Sequence, residues 1–223
     1  MVYERLNSSS SRDFEGCGFE SGRAESAPHM VGVVEVEEPV EIEEKARQLQ
    51  AVFNELFAVS ENTILVAGGG EPIYLPAGHP DCRTTMNEVY FAHGYANSAL
   101  HEIAHWCQAG KERRKLVDYG YWYAPDGRTA EQQALFEKVE VKPQAIEWVL
   151  TEACDQKFNI SFDNLNGAGG HNAEAFKKAV LEQTLTYLKG GLPPRAEQLM
   201  IRFRQQFKGG RPIELKRFCL EAL

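Results

Sequence analysis

The sequence lacks four things that would each have pointed to a familiar class. No run comes near the roughly 18 consecutive apolar residues of a membrane span, which excludes a helical transmembrane protein. Basic charge is in deficit: 24 Lys and Arg stand against 32 Asp and Glu in 223 residues, a net charge of −8. Nucleic acid is therefore not an expected partner, because sequence-independent binding to phosphates needs a basic surplus. Cysteine is sparse and scattered. Cys17, Cys82, Cys107, Cys154 and Cys219 form no C-x-x-C pair, so neither a zinc ribbon nor a dithiol redox motif is present. The start of the chain has no basic segment followed by an apolar stretch, so no export is expected and the cytoplasm is the expected compartment.

What is present divides into a polar leader and a core-forming remainder. Residues 1–41 include the run Ser8-Ser9-Ser10-Ser11 and the acidic stretch Glu35 to Glu41, too little apolar surface to offset the entropy of ordering, and are expected to be disordered. Within them Met30 to Val34 has strand character and offers an edge pairing as the alternative. Residues 42–223 are expected to form one α+β domain: short strands, several helices, and the functional site on a central helix. Ile42, Ala46, Leu49, Val52, Phe53, Leu56 and Phe57 recur at helical spacing. Short strands are predicted at Thr63 to Ala67, Pro72 to Leu75, Glu88 to Ala92 and Tyr119 to Tyr123, with a turn at Pro125-Asp126-Gly127. Helices are predicted from Ser98 to Ala109, capped by Asn97 or Ser98, and from Glu131 to Cys154 with a kink or break at Pro143. Two more follow, one capped by Asn172 and one opening at Pro193-Pro194 with Leu199, Ile201, Phe203 and Phe207 as its apolar positions.

The informative stretch is His101-Glu102-Ile103-Ala104-His105-Trp106. Histidines four apart stack on one helical face, so both imidazoles can reach a single divalent ion. Two histidines do not complete a site, and the candidates for a third ligand are Glu137 and Glu140, one turn apart on the next long helix. Glu140 is favoured because distortion at Pro143 can aim its side chain. His93 stands just before the ligand helix and is a further candidate for direct or supporting contact with the metal. Tyr95, Tyr121, Trp122 and Tyr123 are candidate pocket walls, and Lys111 to Lys115 is a basic cluster in an acidic chain. His79 and Cys82 share a loop with nothing nearby to complete a metal site.

The donor types leave the metal open. With zinc, Glu102 would act as general base on a bound water and the chain would be a metallopeptidase. With iron(II), His101, His105 and a carboxylate form the face of a non-haem oxygenase that uses dioxygen. A module in which a metal merely holds the fold is a third reading.

Several motifs in fixed order narrow this choice. Glu71 to Ala77, Phe91 to Tyr95, His101 to Gly110, Val117 to Tyr123 with Pro125 to Arg128, Phe136 to Ala145, Phe158 to Ser161 and Asp163 to Leu165 together resemble the bacterial elongation factor P hydroxylase family over most of residues 45–190. The resemblance implies an iron-dependent enzyme that hydroxylates the β-lysyl-modified lysine of elongation factor P. It places the histidine pair at His101 and His105 and the carboxylate at Glu140. A long cationic side chain would be drawn to the metal by Glu102, Glu137 and Asp118. The leader, the tail beyond about Pro194, and Ala124 in place of an expected cysteine depart from the family pattern.

Overall fold

The computed structural model describes residues 41–68, 70–120, 128–162 and 173–223. The first helix, α1 (Glu44–Phe57), buries Ala46, Leu49, Val52, Phe53 and Phe57, one stripe of an amphipathic pattern. A three-stranded sheet follows, β1 (Thr63–Ala67), β2 (Ile73–Leu75) and β3 (Asn87–Phe91), in the order β1-β3-β2. β3 pairs parallel with β1 and antiparallel with β2, with Leu65 and Tyr74 both opposite Val89.

Side chains from elsewhere cover the outer strands. Asn54 on α1 accepts a hydrogen bond from the Leu65 amide at 2.7 Å, and Gln50 donates to the Leu65 carbonyl at 2.8 Å. Asp118 accepts one from the Tyr74 amide at 2.8 Å. Unpaired strand groups that would otherwise attract another chain are thereby used.

The sheet leads directly into α2 (Ala96–Gln108) through a tight turn at Ala92–Gly94. One side of α2 is wholly apolar: Ala99, Leu100, Ile103, Ala104 and Trp106 are fully buried. The Trp106 ring meets Phe53 at 4.9 Å and Phe57 at 4.8 Å between centroids, locking α2 onto α1. Next, α3 (Ala130–Ala153) opens with a reciprocal Thr129/Gln132 capping box. It packs on α2, on α4 (Ala173–Gly190) and on α5 (Pro194–Lys208). One core cluster joins α1, the sheet, α2, α3 and α5; a second gathers Trp148, Phe158, Phe176, Val180 and Phe218 and seats α4. The result is a single compact α+β domain, as the sequence pattern predicts.

Several local expectations change. α2 begins two residues earlier than predicted and is not capped by Asn97 or Ser98. Ser98 instead accepts a hydrogen bond from the Ala92 amide, and the Ala96 amide donates to Glu43 at 2.9 Å, so the helix start is satisfied by a carboxylate from the mouth of α1. Tyr119 and Gly120 are not in a strand. They lie in a short turn, Val117–Gly120, because Asp118 and Tyr119 take φ values of 46° and 59°, a left-handed conformation no strand accommodates. α3 runs through Pro143 without a break; its fully buried second half holds the axis by packing. Ile201 is 46% exposed rather than core. The leader up to residue 40, the Pro125-Asp126-Gly127 turn and the Asn172 cap lie outside the described residues.

Gly94 is the hinge between the sheet and α2. Its φ is +70°, its carbonyl accepts from the Glu43 amide at 3.1 Å, and a Cβ there would stand 2.9 Å from the Ile42 Cα and closer still to the Glu41 carbonyl. Gly94→Ala should therefore lower unfolding stability by about 2 kcal/mol or more in urea titration, from backbone strain and overlap together. An unchanged midpoint would show that the α1 mouth is not held against this turn.

Candidate metal centre

The polar side of α2 carries His101, Glu102 and His105 toward α3. Four residues of helix bring the two imidazoles into register, with ring centroids 4.7 Å apart and planes at 67°. From α3, Glu140 reaches both: its carboxylate lies 3.2 Å from His105 Nε2 and 3.7 Å from His101 Nε2, while the two Nε2 atoms are 3.1 Å apart. Among the described residues this is the one group of at least three His, Cys, Asp or Glu side chains disposed to hold an ion, with all donor atoms within 4.8 Å of one another. Glu137 does not join it and instead accepts a hydrogen bond from Gln133 on its own helix.

The protonation balance of this cluster fits a cation. Burial would push the Glu140 carboxyl up, but His105, by charge and hydrogen bond, together with His101 and the Gln144 amide, outweighs burial and holds it down at about 2. Glu140 is thus an anion with no proton to offer. His105 Nε2 has one in-plane position, for a proton or a lone pair, yet it faces both Glu140 and His101 Nε2. One of those contacts always lacks a proton, and a shared cation satisfies them together.

Glu147 was not among the sequence candidates. It lies two turns beyond Glu140 on the same face of α3, and its carboxylate accepts from His101 Nδ1 at 2.8 Å. Burial works against a charged His101, but the Glu147 charge and hydrogen bond, followed by Glu140 and Glu102, raise the imidazole to about 10. With Nδ1–H committed to Glu147, the ring orientation is fixed, and Nε2 is the atom that an ion would take once it displaces the proton there. The seven-residue spacing from Glu140 is the signal that marks Glu147 in the sequence.

The cluster forms one wall of a cavity of about 460 Å³. Its carboxylates are Glu71, Glu102, Asp118, Glu140 and Glu147, and no Lys or Arg lines it among the described residues. Burial raises the Glu102 carboxyl above its ordinary range, the two imidazoles oppose this, and Glu140 and Asp118 add to it. Of the three acids expected at the mouth, Glu102 and Asp118 are in place and Glu137 is not. Glu71, Asn159 and Ser161 also line the cavity; none was a site candidate, though each falls in a stretch that carries the family resemblance. Gln144 holds the Ser161 segment there, donating to its carbonyl at 2.8 Å and accepting from its amide at 3.1 Å. The aromatic walls are Tyr119 and Phe136. Tyr95 is 56% exposed, outside the cavity. His93 is likewise exposed, set on the left-handed turn with its ring 5.9 Å from Tyr95. Tyr121, Trp122 and Tyr123 lie outside the described residues.

The arrangement defines a class: a small α+β domain with a candidate metal centre of the two-histidine, one-carboxylate type at the base of an acidic cavity. Residues 52–218 match the family described as elongation factor P hydroxylase. The chain is also 55% identical over 158 residues to the elongation factor P lysine hydroxylase of Haemophilus influenzae, an alignment covering 71% of this chain and 86% of that protein. The chain belongs to the elongation factor P hydroxylase family. The match continues through α5, so the departure expected beyond Pro194 does not take that helix out of the family.

Removing the hydrogen bond on His101 should loosen the centre without removing a ligand. Glu147→Ala is expected to weaken iron(II) or zinc binding about tenfold in a competitive chelator titration. Wild-type affinity in that variant would mean that His101 needs no orienting partner.

Proposed function

We propose that this protein is a non-haem iron(II) hydroxylase acting on the β-lysyl-modified lysine of translation elongation factor P, with His101, His105 and Glu140 holding the metal. The observation that carries this reading is the convergence of those three side chains at the base of an acidic cavity, in a chain of this family. The name of the Haemophilus influenzae relative supports the lysine hydroxylase activity. A translation factor as substrate supports a cytoplasmic location. Among the described residues no helix is long and apolar enough to cross a membrane.

Iron(II), when bound, would supply the activation of dioxygen, one oxygen atom entering a C–H bond of the substrate and the other leaving as water with two electrons and two protons from an external reductant. The protein's own residues do the rest. His101 is steered by Glu147, and His105 is set by its place on α2. Glu140 is held as an anion by the imidazoles and by Gln144. A modified lysine is a long chain ending in ammonium groups, and stripping water from them costs several kcal/mol unless negative charge replaces it. Glu102, Glu71 and Asp118 provide that charge, and Tyr119 and Phe136 pack its methylenes. Glu102 thus has the role of attracting and orienting the substrate. The zinc peptidase reading, in which it activates water, gives way to the family assignment.

Anaerobically purified protein should contain iron by elemental analysis, and His101→Ala and Glu140→Ala should each lose it while Glu137→Ala retains it. Loss in Glu137→Ala with retention in Glu140→Ala would overturn the ligand assignment. Glu102→Gln is expected to keep its metal and to raise KM for the modified substrate about tenfold, as a charged partner of an ammonium is lost. Wild-type protein should add one oxygen atom to modified elongation factor P, read by mass spectrometry; cleavage of a peptide bond instead would restore the peptidase reading.

A further inference from the structure

The acidic cavity accounts for one side chain of a protein substrate and leaves the rest of that substrate without a seat. A second cavity, of about 650 Å³, lies between the C-terminal end of α2 and the middle of α3, and His105 is a wall of both. The charge of the second is reversed. Lys111 and Arg113 line it from the segment after α2, Lys138 and Lys142 from α3, and its one carboxylate among the described residues, Glu112, is taken by two 2.8 Å hydrogen bonds from Lys115.

Three of these cations are uncompensated. Lys111, Lys138 and Lys142 are exposed, and none has an ion-pair partner among the described residues. Lys138 and Lys142 are also one turn apart on the same helix, where like charges repel by a few tenths of a kcal/mol. The repulsion sits in a chain with a net charge of −8, beside a cavity lined by five carboxylates. An acidic surface laid over the cleft would relieve it, and in doing so would fix the register in which a neighbouring cationic side chain enters the acidic cavity.

We infer that this basic cleft is the docking surface for the substrate protein, and that its occupant is an acidic face of elongation factor P next to the modified lysine. The inference rests on the function proposed above. The protein thereby reads two opposite charges a short distance apart: anions take the cationic tip, and cations take the acidic body that carries it. Because the lysines are exposed at the rim rather than buried around one point, the pattern is that of the polar margin of a protein interface and not of a small-anion pocket.

The test uses the full chain with Lys111→Glu, Lys138→Glu and Lys142→Glu combined. Circular dichroism and iron content serve as controls for folding and for the metal centre. Modified elongation factor P should bind this variant about tenfold more weakly by calorimetry, with a matching rise in KM and little change in kcat. A short peptide carrying the same modified lysine should be turned over by variant and wild type alike. The wild-type affinity for the whole factor should fall with salt, and that of the variant should fall much less. Equal affinity of variant and wild type for the whole factor, or an equal loss with the short peptide, overturns the docking surface while leaving the hydroxylase reading intact. A wild-type protein that neither binds nor oxidises the factor overturns the hydroxylase reading and the docking surface with it.

Discussion

A carboxylate buried to 1% exposure, Glu140, pressed against two imidazoles on a neighbouring helix is the constraint around which the rest is arranged. Taking such an anion out of water costs several kcal/mol, and only close, well-directed positive charge returns it. That demand fixes the spacing of α2 and α3. It also explains why the polar side of α2 is confined to so few positions while its other side is as apolar as any core helix. Trp106, wedged between Phe53 and Phe57, prevents α2 from rolling and so keeps His101 and His105 facing α3.

The same reasoning accounts for the composition of α3. Its buried face is not apolar throughout: Gln133, Glu140, Gln144 and Glu147 follow one another at three-, four- and seven-residue spacings. A buried row of this kind is destabilising unless each member is paired. Gln133 donates to the Phe162 carbonyl, Gln144 bridges both backbone groups of Ser161, and Glu147 meets His101. The segment from Phe158 to Phe162 is thus pinned to α3 by amide side chains. Its Asn159 and Ser161 complete the cavity opposite the histidines.

Much of this was legible in the sequence where the signal is local and periodic. The α1 stripe, the three short strands, the histidine pair and the span of α3 all follow from spacing, and the structure places them within a few residues of the predicted limits. Two of the failures share a cause: each depends on a partner far away in the chain. Glu43 caps α2 across 53 residues, and no local rule connects a glutamate at one helix mouth to the start of another. Tyr119 reads as the start of an aromatic strand until the Tyr74 amide, 44 residues from Asp118, is seen to hold the Asp118 carboxylate and the Tyr74 ring to stack on Tyr119 at 4.4 Å. Glu147 was readable in principle, since a helix that presents Glu140 to a histidine presents Glu147 two turns further along the same face. The choice between Glu140 and Glu137 leaned on Pro143, yet α3 stays continuous there, and what separates the two is simply which face meets α2.

The strained turn at Asp118 and Tyr119 ties the cavity to the sheet. Two consecutive non-glycine residues at positive φ are costly, roughly 1–3 kcal/mol each, and survive only where surrounding contacts dictate them. Here those contacts are the β2 edge, the ring stack, and the Arg113 guanidinium donating to the Tyr119 carbonyl at 2.9 Å. A relaxed turn would carry the Asp118 carboxylate away from β2 and shift the Tyr119 ring, removing one acid and one aromatic wall from the cavity together. The strain therefore does the work of placement: it sets an anion and an apolar surface side by side, the two properties needed to receive a long chain that is oily along its length and charged at its end. Arg113 also lines the basic cleft on the other side of His105, so a single residue braces the acidic cavity and borders the surface of opposite charge.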